Sequence, residues 1–172
     1  MKILSAPGLC LHPDFLTESE EIELLMQIRF YMPLKPRLGC YDRNAVVRFG
    51  SSKPYNNMVD GKIPANLNWL CAKLVTQSYV PQNPDSITIN EYYPGQAIKP
   101  HIDHVDGGPV ITVLSLAAPA TMVFTKSGED NLAVELPPRS LVQMRDAIRY
   151  DWQHEIKPVK ELRYSIVFRC ST

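Results

Sequence analysis

His101-Ile102-Asp103 places an imidazole and a carboxylate two positions apart. If the segment is a strand, residues i and i+2 project from one face, so the two groups converge. A second imidazole from a distant segment would complete one face of an octahedron and leave the opposite face open. Two histidines and one carboxylate in that arrangement suit a non-haem iron(II) centre with room for a co-substrate and O2. The other histidines are His12, His104 and His154. His12 belongs to the N-terminal arm and His104 falls just past the HxD segment, which leaves His154 as the natural third ligand. An HxD tripeptide alone is common and reads equally well as a surface turn, so the residues around it must narrow the choice.

Arg163-Tyr-Ser-Ile-Val-Phe-Arg169 reads as a strand with two arginines on one face and Tyr164, Ile166 and Phe168 on the other. The arginines stand roughly 20 Å apart along it at about 3.3 Å per residue. Leaning inward, their guanidinium forks could hold the two ends of a short dicarboxylate. The plain alternative is that one of them is half of a rim salt bridge, a reading that suits Arg169 better than Arg163. Asn90 and Tyr92 form another i, i+2 pair, an amide and a phenol able to orient a carboxylate by hydrogen bonds. The plain alternative for that pair is a solvent-facing edge strand.

These groups need a frame. Thr17-Glu-Ser-Glu20 is a capping box, and Ile22, Leu24, Leu25 and Ile28 follow it as a helical stripe. A second helix is predicted from Pro64, with Leu67, Leu70, Leu74 and Val75 facing a core. Between them, residues 29–62 hold Pro33, Pro36, Gly39, Gly50, Pro54 and Gly61, and only 44–49 reads as a strand. Beyond residue 85 the pattern becomes short runs at 87–93, 98–103, 110–116, 121–124, 132–136, 141–144 and 164–168, punctuated by Gly and Pro. Many short strands joined by turns indicate a sandwich or jelly roll.

With 172 residues the chain fits one domain able to bury a sizeable core. Lys plus Arg and Asp plus Glu both number 18, so no global field steers the molecule toward nucleic acid. The charge is uneven, however. Residues 29–62 carry Arg29, Lys35, Arg37, Arg43, Arg48, Lys53 and Lys62 against Asp42 and Asp60, interleaved with Tyr31, Tyr41, Phe49 and Tyr55. Basic groups track phosphates and aromatic rings stack on exposed bases, as single-strand and flipped-base binders require. On that reading Arg48 and Arg43 hold the backbone, and Tyr41, Phe49 or Tyr55 meets the base. Cys10, Cys40, Cys71 and Cys170 are scattered without a CxxC pair, against a zinc ribbon or a disulfide framework. The N-terminus is a poor signal peptide, and no apolar run reaches the roughly 18 residues of a membrane span. A reducing, cytoplasmic setting is expected, with the nucleus also open.

Taken in order, Asn90-Glu-Tyr92-Tyr-Pro94-Gly95, His101-Ile-Asp103, His154 and Arg163-x5-Arg169 resemble the AlkB family of iron(II)- and 2-oxoglutarate-dependent dioxygenases over residues 86–170. More loosely, Arg48-Phe49-Gly50 followed by Ile63-Pro64 is similar to that family's nucleotide-recognition lid and the helix after it. The resemblance implies an α+β fold in one domain spanning 1–172, with a double-stranded β-helix (jelly-roll) core at 86–170. Two N-terminal helices would support that core, and residues 29–62 would form the lid. It implies that His101, Asp103 and His154 ligate Fe(II). Arg163, assisted by Tyr92, would pair with the distal carboxylate of 2-oxoglutarate, and Asn90 and Arg169 would act at the keto-acid end. The implied reaction is oxidative demethylation of N-alkylated bases in DNA or RNA, yielding succinate, CO2 and formaldehyde. The expected partners are nucleic acid and O2, with no membrane, and the chain is expected to be a monomer. One departure is that repair members commonly carry an acid two positions after the metal Asp. Here that position is Val105, and the acid comes at Asp106. The same chemistry could instead hydroxylate a protein side chain or a modified RNA base. A third reading is a catalytically silent, metal-binding β-barrel that only binds.

Overall fold

The computed structural model describes residues 2–3, 7–32, 45–51 and 61–171. Two antiparallel sheets carry the chemistry. The larger is built from β1 (Lys2–Ile3), β2 (Leu9–His12), β3 (Ala45–Gly50), β4 (Ser86–Tyr92), β6 (Ile111–Leu116), β9 (Leu141–Met144) and β11 (Arg163–Arg169). Their spatial order is β1-β2-β9-β6-β11-β4-β3. The smaller sheet, in order β5-β10-β7-β8, uses β5 (Ile98–His101), β7 (Ala120–Thr125), β8 (Leu132–Leu136) and β10 (Gln153–Ile156). The expected jelly roll with helical support is what forms.

Side-chain alternation divides the larger sheet. One face contributes Leu9, Leu11, Tyr92, Ile111, Val113, Val142 and Met144 to a core shared with Ile98, Met122, Phe124, Val134 and Ile156 of the smaller sheet. The other face, with Val47, Ile87, Ile89, Leu114, Tyr164, Ile166 and Phe168, packs under the helices α1 (Glu18–Arg29) and α2 (Asn68–Thr76). The chain is thus a three-layer stack whose middle sheet is buried on both sides.

The helix signals hold with two adjustments. The capping box forms as expected, with Glu20 N–H donating to Thr17 Oγ1 (3.2 Å) and Thr17 N–H to Glu20 Oε2 (2.8 Å). Ile22, expected in the apolar stripe, is 55% exposed, while Glu21 is buried in its place. The reason is an acceptor need: Glu21 Oε1 takes the Ala117 amide (2.9 Å) and Oε2 takes Arg139 Nη1 (2.9 Å), at two residues with positive φ. Pro64 precedes a short 3-10 turn, Ala65–Leu67, and α2 starts only after it.

Four elements were not anticipated. The N-terminal arm supplies β1 and β2, so His12 lies in the sheet and bonds Gln143 (3.1 Å). The other two are β10 and the five-residue helix α3 (Asp146–Tyr150). Among the described residues Cys10, Cys71 and Cys170 are free thiols, and no helix is long and apolar enough to cross a membrane.

Candidate metal centre

β5 and β10 pair so that His101 lies directly across from His154. Their rings stand 4.4 Å apart, with Phe124 of β7 at 6.1 Å from the His154 ring. The strand reading of His101-x-Asp103 needs correction. β5 ends at His101, so Asp103 does not reach the site by strand alternation; it lies in the loop beyond. Tertiary contacts bring it back. Asp103 Oδ1 is 3.7 Å from His101 Nε2 and accepts from Arg169 Nη2 at 3.1 Å. One ligand atom from each of His101, Asp103 and His154 lies within 4.8 Å of the other two, a grouping able to hold a metal ion.

The protonation states suit a cation. His101 Nδ1 lies 2.9 Å from the Lys99 carbonyl, an acceptor, so Nδ1 carries a hydrogen and Nε2 is the nitrogen turned toward Asp103. Burial pulls His154 down to about 4, against the opposing pull of Asp103, so it is neutral near pH 7. Burial pushes the Asp103 carboxyl up, but Arg169, His154, His101 and Arg149 together outweigh it and hold it well below the usual carboxylate range. Two imidazoles and one carboxylate is the donor set expected for iron(II).

The predicted co-substrate residues share the inner face of the larger sheet. Register pairs Arg163 with Tyr92, Ser165 with Asn90, and Arg169 with Ser86. Arg163 is 0% exposed, its guanidinium lies 5.0 Å from the Tyr92 ring, and Nη2 donates to Ser115 Oγ (3.2 Å). Burial disfavours its charge and Tyr92 favours it. Its Nε and Nη1 find no well-formed hydrogen bond. A buried cation with N–H groups left over is what a bound carboxylate would complete. Asn90 donates to Ser165 Oγ (3.3 Å), while its Oδ1 has no partner. β4 lies between β3 and β11, so the edge-strand alternative for Asn90 and Tyr92 does not hold. Arg169 does form a salt bridge, but a buried one against Asp103, with Nη1 on Thr88 Oγ1 (3.1 Å).

The predicted substrate residues divide. Arg48 lies opposite Thr88 in the register and therefore shares the inner face with the site. Phe49 points the other way. It is 7% exposed in the helix-side core, edge-on to Tyr31 at 5.2 Å, so its expected contact with a base is corrected to packing. Tyr41, Arg43 and Tyr55 lie outside the described residues. Val105 is 63% exposed in a 3-10 turn two residues past Asp103.

Sequence reasoning missed Arg149 of α3. Its guanidinium donates to the carbonyls of Asp103 (2.8 Å), His104 (2.6 Å) and Gly108 (3.3 Å). Nothing local signals this: α3 has no capping side chain, and the partners are main-chain oxygens more than forty positions away.

Comparison with known proteins shows the family. The model of the 2OG-Fe(II) oxygenase superfamily matches residues 32–169. An uncharacterized protein of Acanthamoeba polyphaga mimivirus is 33% identical, across 94% of this chain and 84% of its own. The Xenopus tropicalis tRNA (carboxymethyluridine(34)-5-O)-methyltransferase alkbh8 is 35% identical across 90% of this chain, which spans only 26% of that protein. The solved structure of OsALKBH1 superposes with a TM-score of 0.75, covering 98% of this chain and 100% of that one, at 13% identity. The chain therefore belongs to the 2OG-Fe(II) oxygenase superfamily, as an AlkB-type member, and its cofactors are iron(II) and 2-oxoglutarate.

Proposed function

We propose that the chain oxidises an alkyl group on a nucleic-acid base, using iron held by His101, Asp103 and His154. The convergence of these three ligand atoms within 4.8 Å carries the proposal. Iron(II) with 2-oxoglutarate and O2 supplies oxidative decarboxylation to succinate and CO2 coupled to C–H hydroxylation, which on an N-methyl group ends in loss of formaldehyde. The protein's own residues bind and orient. Arg163 takes the distal carboxylate of the keto acid through its unused N–H groups, with the Tyr92 ring against it. Asn90 and Arg169 serve the keto-acid end, and Arg169 also keeps Asp103 ionised and aimed.

Nucleic acid as substrate is supported by the basic, aromatic composition of residues 29–62 and by the similarity to a tRNA-modifying protein. That relative's name carries a carboxymethyluridine of tRNA, which makes a modified uridine a base to test, with hydroxylation that removes no methyl as the second outcome. The apolar Val105 beside the metal loop agrees with a base unlike those read by an acid at that position. Methylated and modified oligonucleotides, single- and double-stranded, are to be incubated with iron(II), 2-oxoglutarate and O2 and weighed. Loss of a methyl marks demethylation and gain of one oxygen marks hydroxylation. Neither change on any nucleic acid, with succinate still formed, would remove the substrate assignment. Succinate formation that survives His101→Ala and Asp103→Ala would remove the iron assignment. Charge reversal at Arg37 and Arg43 is expected to weaken oligonucleotide binding and flatten its salt dependence.

A further inference from the structure

Arg149 is 2% exposed, and none of its three loop bonds goes to a carboxylate. Desolvating a guanidinium is costly unless its donors are satisfied, and here the satisfaction comes from one loop alone. That loop is the segment joining β5 to β6, and it carries Asp103 without any ladder partner to fix its main chain. Its far end is already pinned. Gly108 has φ +87°, and a Cβ there would sit 1.9 Å from the Cys170 carbonyl oxygen, so the chain passes hard against the end of β11. The near end is fixed by His101 in β5. Between these ends run Asp103 and His104, whose carbonyls take two of the three Arg149 bonds, the third going to Gly108 at the pinned end. Arg149 itself stands five residues before His154, on the short helix that leads into β10.

We propose that Arg149 is a positioning residue for the metal centre: by holding the carbonyls of Asp103, His104 and Gly108 it fixes the main chain beneath Asp103 relative to the segment entering His154, and so sets the spacing between carboxylate and imidazole. The role rests on His101, Asp103 and His154 being the iron ligands. An arginine suits it because its planar fork spans several acceptors at once, whereas lysine supplies a point charge. Groups that orient metal ligands typically change metal affinity by about 10–100-fold when removed.

Arg149→Met and Arg149→Lys are to be compared with the parent by anaerobic iron(II) titration and by the visible absorption of the iron(II)–2-oxoglutarate complex. Thermal unfolding and the split between kcat and the KM for 2-oxoglutarate complete the set. The methionine variant should bind iron about 10–100-fold more weakly, with an altered absorption band. Its kcat should fall even at saturating iron, while the KM for 2-oxoglutarate changes little. A folded methionine variant with parental iron affinity and an unchanged band overturns the proposal. Lysine should recover thermal stability but not iron affinity; full recovery of affinity by lysine also overturns it, because charge alone would then suffice. If the methionine variant does not fold, the lysine variant decides. Asp103→Ala is the separate control: if it binds iron like the parent, the ligand assignment fails rather than the role of Arg149.

Discussion

Arg163 shows how a single buried charge can point to an absent ligand. One of its nitrogens reaches Ser115, its face meets Tyr92, and two nitrogens, Nε and Nη1, have no well-formed hydrogen bond. Hydrogen bonds to a charged group contribute about 1.5–3 kcal/mol each. Arg163→Met is therefore expected to raise the KM for 2-oxoglutarate by about 30-fold or more, at about 1.4 kcal/mol per tenfold. The fold should tolerate the change, since an apolar side chain of similar length replaces a buried charge. Steady-state succinate formation against 2-oxoglutarate concentration, with circular dichroism of the variant, checks both halves. An unaltered KM would reassign Arg163 to structure. The thiols make a second case. Burial pushes Cys71 and Cys170 up to about 11, so both stay protonated well above neutrality. Alkylation of the native protein at pH 8, read by mass spectrometry, should leave both unmodified until denaturant is added.

Among the elements, α1 is tied to the larger sheet by more than its apolar face. Glu21 closes the main chain at Ala117 and reaches Arg139, two residues whose positive φ holds the loops around them in tight turns. Glu21→Ala should cost about 1–3 kcal/mol, chiefly because the Ala117 amide is left without its acceptor. Iron affinity should not change, since none of these contacts touches the metal loop. Chemical denaturation and metal titration of the same sample separate the two effects. Gly108→Ala acts at the other end of the molecule's order. It asks for an L residue at φ +87° with a backbone oxygen in the way, and it should destabilise the loop that carries Asp103. Weaker metal binding should accompany the lower melting temperature.

For the molecule as a whole, the proposed ligand set puts the metal and the keto acid between the two sheets' inner faces, where they should stabilise both together. Ligand at a hundredfold its Kd adds about 2.7 kcal/mol. At roughly 2–4 °C per kcal/mol for a domain of this size, manganese(II) plus 2-oxoglutarate should raise Tm by about 5–10 °C. A chelator should reverse the rise, and Asp103→Ala should not show it. The helices cover the outer face of the larger sheet, and the smaller sheet covers most of the inner face.

Much of this was legible along the chain, because the relevant signals are local. The capping box, the Leu67, Leu70 and Leu74 stripe and the alternation in 163–169 depend on spacing of a few residues, and each element formed, the second helix starting four residues later than Pro64 implied. The residue types His, Asp, His and paired Arg likewise named a metal and a dicarboxylate before any packing was known. What the sequence could not decide was how Asp103 arrives. It sits outside the strand, held by Arg169 and underpinned by Arg149, and those contacts bridge 66 and 46 positions. The same limit explains Phe49 and Ile22. Which face of β3 looks inward is set by its register against β4, and the buried place on α1 went to Glu21 because distant turns needed an acceptor. Local spacing chose the groups for the chemistry; long-range hydrogen bonding and register decided which of them meet.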